Sequence, residues 1–133
     1  RYNTITEVLE YLPVVSGDFF FPSALGTAIS DDGKTIVGTV RDFGPPFGAP
    51  GFIWREGFGA MTLNDYFDSM GVVYEAGFFF STPLSMSGDG LTMSGYGISQ
   101  TEGLVGWVVT VPTPGTAIAL GFCGLIGAAR RRR

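Results

Sequence analysis

The sequence predicts a mainly β protein of antiparallel sheets, with two propeller-blade-like repeats, one short helix and a C-terminal transmembrane helix. Three observations lead there. A stretch centred on an Asp-Gly pair occurs twice, 57 positions apart. Short β-branched and apolar runs flank each copy. The chain closes on an uncharged apolar run followed by four arginines.

The repeat is read first. Ala28-Ile29-Ser30-Asp31-Asp32-Gly33-Lys34-Thr35-Ile36-Val37-Gly38 returns as Leu84-Ser85-Met86-Ser87-Gly88-Asp89-Gly90-Leu91-Thr92-Met93-Ser94-Gly95. A second pair follows, Gly51-Phe52-Ile53-Trp54 and Gly106-Trp107-Val108-Val109. Periodicity on this scale indicates stacked supersecondary units. Each copy reads as a β-hairpin and a further strand. Asp32-Gly33 and Asp89-Gly90 suit a tight type I′ turn, which needs positive φ angles. Gly38 and Gly95 end the return strands, where backbone bends or approaches a neighbour. The body is expected over 1–110, with repeats at roughly 12–62 and 72–110. Two such units cannot close a propeller, so open edges are expected at the N-terminal side.

Between the copies, Leu63–Met70 is the expected helix. Thr62 or Asn64 caps it, Leu63, Tyr66, Phe67 and Met70 form its apolar side, and Gly71 stops it. Phe19-Phe20-Phe21 and Phe78-Phe79-Phe80 precede the two hairpins. Bulky residues at repeat-related positions fill the space between units, and a sugar-stacking or protein-docking surface is the alternative. Gly44-Pro45-Pro46-Phe47-Gly48 reads as a loop tip.

The C-terminal segment has three parts: a hinge over 111–115 (Val111, Pro112, Thr113, Pro114, Gly115), an apolar helix over 116–129, and Arg130, Arg131, Arg132 and Arg133. Prolines interrupt both helix and sheet ladder. The apolar run tolerates lipid, and by the positive-inside tendency the arginines stay cytoplasmic, with the body on the far side. Its helix spans about 22 Å against a hydrocarbon core of about 30 Å, a marginal span suited to a transient handle. A core helix that ends the chain is the bland alternative, and it gains nothing from a terminal cationic block.

Charge and chemistry narrow the function classes. The formal net charge is −4, and removing the four terminal arginines takes it to −8, which disfavours nucleic-acid partners. Cys123, the single cysteine, lies in the apolar run, so no intrachain disulfide forms. Histidine is absent, removing the commonest general base and metal ligand. Ser30 and Ser87 therefore have no histidine to activate them. Asp31, Asp32 and Asp89 are explained as turn formers, and Gly88 in place of a second Asp31 argues against a shared Ca²⁺ site. Paired-carboxylate glycosidase chemistry, for which Glu102 is a further candidate, stays open as a formal alternative. The expectation is a non-enzymatic chain with no cofactor and no metal.

The order Val-Pro-x-Pro-Gly-Thr, short apolar helix and Arg cluster resembles the PEP-CTERM sorting signal of bacteria, over residues 111–133. That resemblance implies recognition by an exosortase, a membrane protease, removal of the tail, and delivery to the envelope or outside. Thr113 stands where the family has Glu, which bears on the exosortase variant. Upstream, Ala28, Ser30, Asp32, Gly33, Gly38, Phe52 and Trp54, then Ser87, Asp89, Gly90, Gly95 and Trp107, resemble the HAF-type extracellular repeat, over about 12–111. The resemblance implies an exported surface or extracellular-matrix protein, held briefly at the inner membrane. An exported protein needs a signal peptide, so the chain starting at Arg1 is expected to be the C-terminal piece of a longer one. The alternatives are a carbohydrate- or protein-binding module, with an extracellular polysaccharide as ligand, and the non-catalytic end of a secreted hydrolase.

Overall fold

The computed structural model describes residues 2–3, 7–9, 12, 23–41 and 48–113. A small hairpin pairs β1 (Tyr2–Asn3) with β2 (Val8–Leu9). A four-stranded antiparallel meander then runs β3 (Ser23–Ile29), β4 (Thr35–Arg41), β5 (Gly51–Arg55) and β6 (Gly59–Thr62). The helix α1 (Leu63–Ser69) follows. A three-stranded meander, β7 (Phe79–Met86), β8 (Thr92–Ser99) and β9 (Gly103–Thr110), completes the described body. The architecture is mainly β and antiparallel with one short helix, and the described sheets close neither a barrel nor a propeller. No helix among the described residues is long and apolar enough to cross a membrane, and the expected helix over 116–129 lies outside them.

The sequence repeat is a structural repeat that includes one shared bulge, and the second sheet has a further register shift between Phe80 and Thr82 that the first lacks. In the first sheet Gly26 pairs with Gly38 and Ala28 with Val37, leaving Thr27 as a bulge. In the second, Pro83 pairs with Gly95 and Ser85 with Ser94, leaving Leu84 as the bulge 57 positions later. The third strand follows the same register: Gly38 opposes Phe52, and Gly95 opposes Trp107. Gly38 and Gly95 thus lie within β4 and β8 rather than at their ends. Close approach explains both glycines. A Cβ on Gly38 would overlap the Leu25 carbonyl oxygen, and one on Gly95 the Thr82 carbonyl oxygen.

The helix forms where the sequence places it. The Thr62 hydroxyl accepts from the Asp65 N–H at 3.1 Å and caps the first turn. At the other end Gly71 takes φ +71°, its N–H bonds the Asp68 carbonyl, and the Val72 N–H bonds the Phe67 carbonyl. This pairing is a Schellman stop. Leu63, Tyr66 and Phe67 are buried, so α1 plugs the open end between the sheets.

Phe67, Phe80 and Trp107 meet at the centre of the main core, joined by Val37, Ile53, Leu63, Met93 and Val111. Their ring centroids lie 4.7 to 6.0 Å apart in edge-to-face geometry. Phe78 also packs there, in keeping with the core reading of that aromatic run. The other run, Phe19-Phe20-Phe21, lies outside the described residues, as do residues 44–47 of the Pro-rich loop. Ile36, Val40, Phe52 and Trp54 form a second cluster on the far face of the first sheet. The outer face of the second sheet is open, with Leu84, Tyr96, Leu104 and Val108 exposed, and β3, an edge strand among the described residues, exposes Leu25 and Ile29 at the N-terminal side.

Replacing Gly95 with Ala is expected to destabilise the body by about 3 kcal/mol, because backbone and not a mobile side chain must give way. Chemical denaturation of the two proteins measures it, and equal midpoints would remove the close-approach account of this glycine.

Candidate functional site

Two local structures bear on function: the repeat turns with the chain exit beside them, and a cleft along β9. The turns are built alike. The Gly33 N–H bonds the Ser30 carbonyl at 2.9 Å, and the Gly90 N–H bonds the Ser87 carbonyl at 2.8 Å. Gly33 has φ +70° and Gly90 +74°, whereas Asp32 and Asp89 do not have positive φ. The expected type I′ turn is thus replaced by a four-residue loop round a type I turn, with only the glycine left-handed.

Side chains close each loop. The Ser30 hydroxyl donates to Asp32 at 2.6 Å, and the Lys34 N–H donates to the same carboxylate oxygen at 2.9 Å. In the second copy Ser87 donates to Asp89 at 2.5 Å, and the Leu91 N–H at 3.0 Å. These hydroxyl bonds, then the backbone bonds, hold both carboxyl groups below the ordinary Asp value. The carboxylates are consumed by their own turns, which is scaffolding chemistry. The two turns also touch: the Asp31 N–H bonds the Gly88 carbonyl at 2.8 Å, and a Cβ on Gly88 would run into the Asp31 carboxylate. That contact explains why Gly88 replaces a second Asp31. Among the described residues no cluster of His, Cys, Asp or Glu could hold a metal ion.

The repeat register also locates the chain exit. The Glu56 N–H bonds the Lys34 carbonyl, and the Val111 N–H makes the equivalent bond to the Leu91 carbonyl at 2.8 Å. Val111 is 2% exposed and sits in the main core, so the body extends through this residue, which the sequence had assigned to the hinge. One residue on, the copies part. Gly57 has φ +81° and turns the chain back into β6, whereas Pro112 takes its place in the second copy. Proline is confined near −65° and cannot make that turn. Pro112 and Thr113 are exposed, and Pro114, Gly115 and Arg130–Arg133 lie outside the described residues.

The cleft is a feature that sequence reasoning missed. Its volume is about 520 Å³, and it lies between the 72–78 segment and β9. Tyr74, Phe78, Phe80 and Trp107 supply an aromatic lining, and Glu75 and Glu102 supply its charge. Glu75 accepts from Ser99 at 2.6 Å and from Thr101 at 3.2 Å, which ties the segment to the β8–β9 turn. Gln100 adds a bond to the Gly77 carbonyl at 3.0 Å. The Tyr74 hydroxyl donates to Asp68 at 2.6 Å, and partial burial followed by that bond raises its pKa, keeping the phenol protonated. The Trp107 Nε1–H is the one buried side-chain donor among the described residues without a hydrogen-bond partner. Of the two aromatic runs expected to fill the core, with a docking surface as the alternative, 78–80 lies among the described residues, and its Phe78 and Phe80 pack into the core. Phe58 is exposed, at 74%, with the Arg55 guanidinium 5.3 Å from its ring centre, and Tyr96 is exposed on the second sheet.

Two outcomes are expected from these contacts. With folded-state values held below 3.8, the turn carboxylates contribute stability that is present above that pH and is lost as pH falls through the lowered values. Carboxyl ¹³C titration should give midpoints for Asp32 and Asp89 below those of ordinary Asp; midpoints at the ordinary value would remove the turn-locking role. Trp107→Phe deletes an unpaired donor and restores the aromatic type of Phe52, so thermal unfolding should shift by no more than about 1 kcal/mol. No protein-family model, curated protein or solved structure matches this chain.

Proposed function

We propose that this chain is a non-enzymatic, exported bacterial surface or extracellular-matrix protein of HAF-repeat type, delivered by a PEP-CTERM-like sorting signal that begins at Pro112. Its two sheets are read as blade-like repeats, and residues 116–129 as a transmembrane helix held during sorting. The observation that carries this reading is the parting of the repeats at Val111 and Pro112. The last core residue is pinned to Leu91, and the next is a proline that cannot continue the repeat. The Pro112-Thr113-Pro114 sequence that follows the body favours an extended backbone, the form a membrane-embedded protease such as an exosortase can engage. The acidic body suits the extracellular side and not a nucleic-acid partner.

The cleft favours a second reading beside the first, in which the body is a binding module. It combines an aromatic lining, two carboxylates and an unpaired indole N–H.

Mass spectrometry of the mature protein from its native host tests the sorting reading. The expected C-terminus lies near Pro112–Gly115, and recovery of an intact chain through Arg133 would reject cleavage. Deleting Arg130–Arg133 should weaken membrane orientation and retention while leaving the unfolding midpoint of the body unchanged.

A further inference from the structure

We propose that the cleft beside β9 is an acceptor groove for an extended peptide strand, which takes in the second sheet the place that β6 holds in the first. The inference rests on the binding-module reading and is independent of export.

The repeat defines the vacancy. In the first sheet, β6 pairs with β5 through Phe52 with Thr62, Ile53 with Met61, Trp54 with Ala60 and Arg55 with Gly59. The equivalent residues of β9 are Trp107, Val108, Val109 and Thr110. Among the described residues β9 is an edge strand with no partner on that side. The chain cannot supply the strand by a hairpin, because Pro112 replaces Gly57 at the turn.

The cleft lies at that vacancy. Its wall includes Trp107, Val108, Val109 and Thr110 in succession. Successive side chains of a strand point to opposite faces, so a cavity touching all four runs along the strand's backbone edge and not across one face. An open edge offers a ladder of unpaired amide and carbonyl groups, which is the recognition element of strand addition. The opposite wall, the 72–78 segment, is fixed by Glu75 and Gln100, so the groove is built and not a gap left by a loose loop.

The register also gives the side-chain preference. Residues opposite Trp107 and Val109 point toward the aromatic floor, where β6 carries the small Thr62 and Ala60 at the equivalent positions. The residue opposite Val108, where β6 has Met61, lies on the outer face beside a valine that is 73% exposed. A long apolar side chain covers it. The charged residues of the lining are Glu75 and Glu102, both near the start of β9. An antiparallel occupant points its C-terminal end that way, so a Lys or Arg after the strand complements them. The occupant is therefore a short extended peptide, small at alternate positions, with one large aliphatic residue between them and a cation following.

The test is a titration of the ¹⁵N-labelled full-length chain with a synthetic peptide of the Phe58–Thr62 sequence followed by two lysines. Amide resonances of 105–110 and the Trp107 indole N–H should shift, and those amides should gain protection from exchange. The same peptide methylated at alternate backbone nitrogens keeps its side chains but loses ladder donors, and should bind at least about tenfold more weakly. Glu102→Lys, at an exposed turn position, should weaken the lysine-bearing peptide without changing the unfolding midpoint. Equal binding of the methylated peptide overturns strand addition. A β-glucan oligosaccharide that moves these resonances when the peptide does not overturns it too, while leaving the binding-module reading intact. Concentration-dependent broadening of 105–110 without any probe would assign the edge to a second copy of this chain and also overturn it. If neither probe moves them, both readings fall.

Discussion

The main core, where the rings of Phe67, Phe80 and Trp107 meet Val37 and Ile53 of the first sheet, is what makes one body of two sheets. Each ring comes from a different element: α1, β7 and β9. Neither meander can bury its inner face alone, since a three- or four-stranded sheet needs a covering layer. Each sheet is the other's layer, Val37 and Ile53 of the first packing on Phe80, Met93 and Trp107 of the second, and α1 plugs the open end with Leu63, Tyr66 and Phe67. Thr27 and Ser81 then fix how the layers slide, by donating across the interface to the carbonyls of Pro83 and Ala49 at 2.7 and 2.9 Å. The bulge that presents Thr27 is thus part of the joint, and its counterpart Leu84 faces outward because nothing described covers the second sheet.

The turns set the register on which that joint depends. A hydroxyl and a carboxylate two residues apart lock each loop, and the glycine after them absorbs the one left-handed residue. With the loop fixed, the strands leave it in a single register, which brings Gly38 and Gly95 opposite their bulges. A repeat that conserves its turn but loses its exit glycine keeps the hairpin and loses the next strand. The second copy does this at Pro112.

Much of this could be read from the residues themselves. Asp-Gly between β-branched runs marks a hairpin because few residues tolerate positive φ, and Thr62 and Gly71 mark helix ends for equally local reasons. What escaped was set by tertiary contact or by geometry several residues away. The type I′ assignment failed because Ser30 and Ser87 reach forward to the Asp and widen the loop, a bond that residue spacing alone does not specify. Val111 looked like part of a proline hinge, and only its bond to Leu91 shows it to be core. The cleft was hidden because Glu75 is 24 positions from Ser99, its partner at the β8–β9 turn. The signal for it was nonetheless present in the repeat, where Gly57, which turns the chain back into β6, has Pro112 as its counterpart.

The relation between the two sheets is directional, and this has a physical consequence. The face of the first sheet that carries Val37 and Ile53 is buried against the second, while the equivalent face of the second, with Ser94 and Val108, is open. Conversely, Met93 and Trp107 of the second sheet use the face that carries Ile36 and Phe52 in the first. The sheets therefore pack head to tail and not face to equivalent face. Such an arrangement has no symmetry that closes it at two units, so it leaves one face unmatched. The glycines register the difference: a Cβ on Gly51 would meet the Phe80 and Ser81 carbonyls at 2.9 and 2.8 Å, whereas one on Gly106 meets nothing closer than 3.9 Å. Among the described residues the second sheet has neither a neighbour on its outer face nor a strand along its β9 edge. The edge alone carries a built groove, because Glu75 and Gln100 brace its far wall whether or not a strand is present.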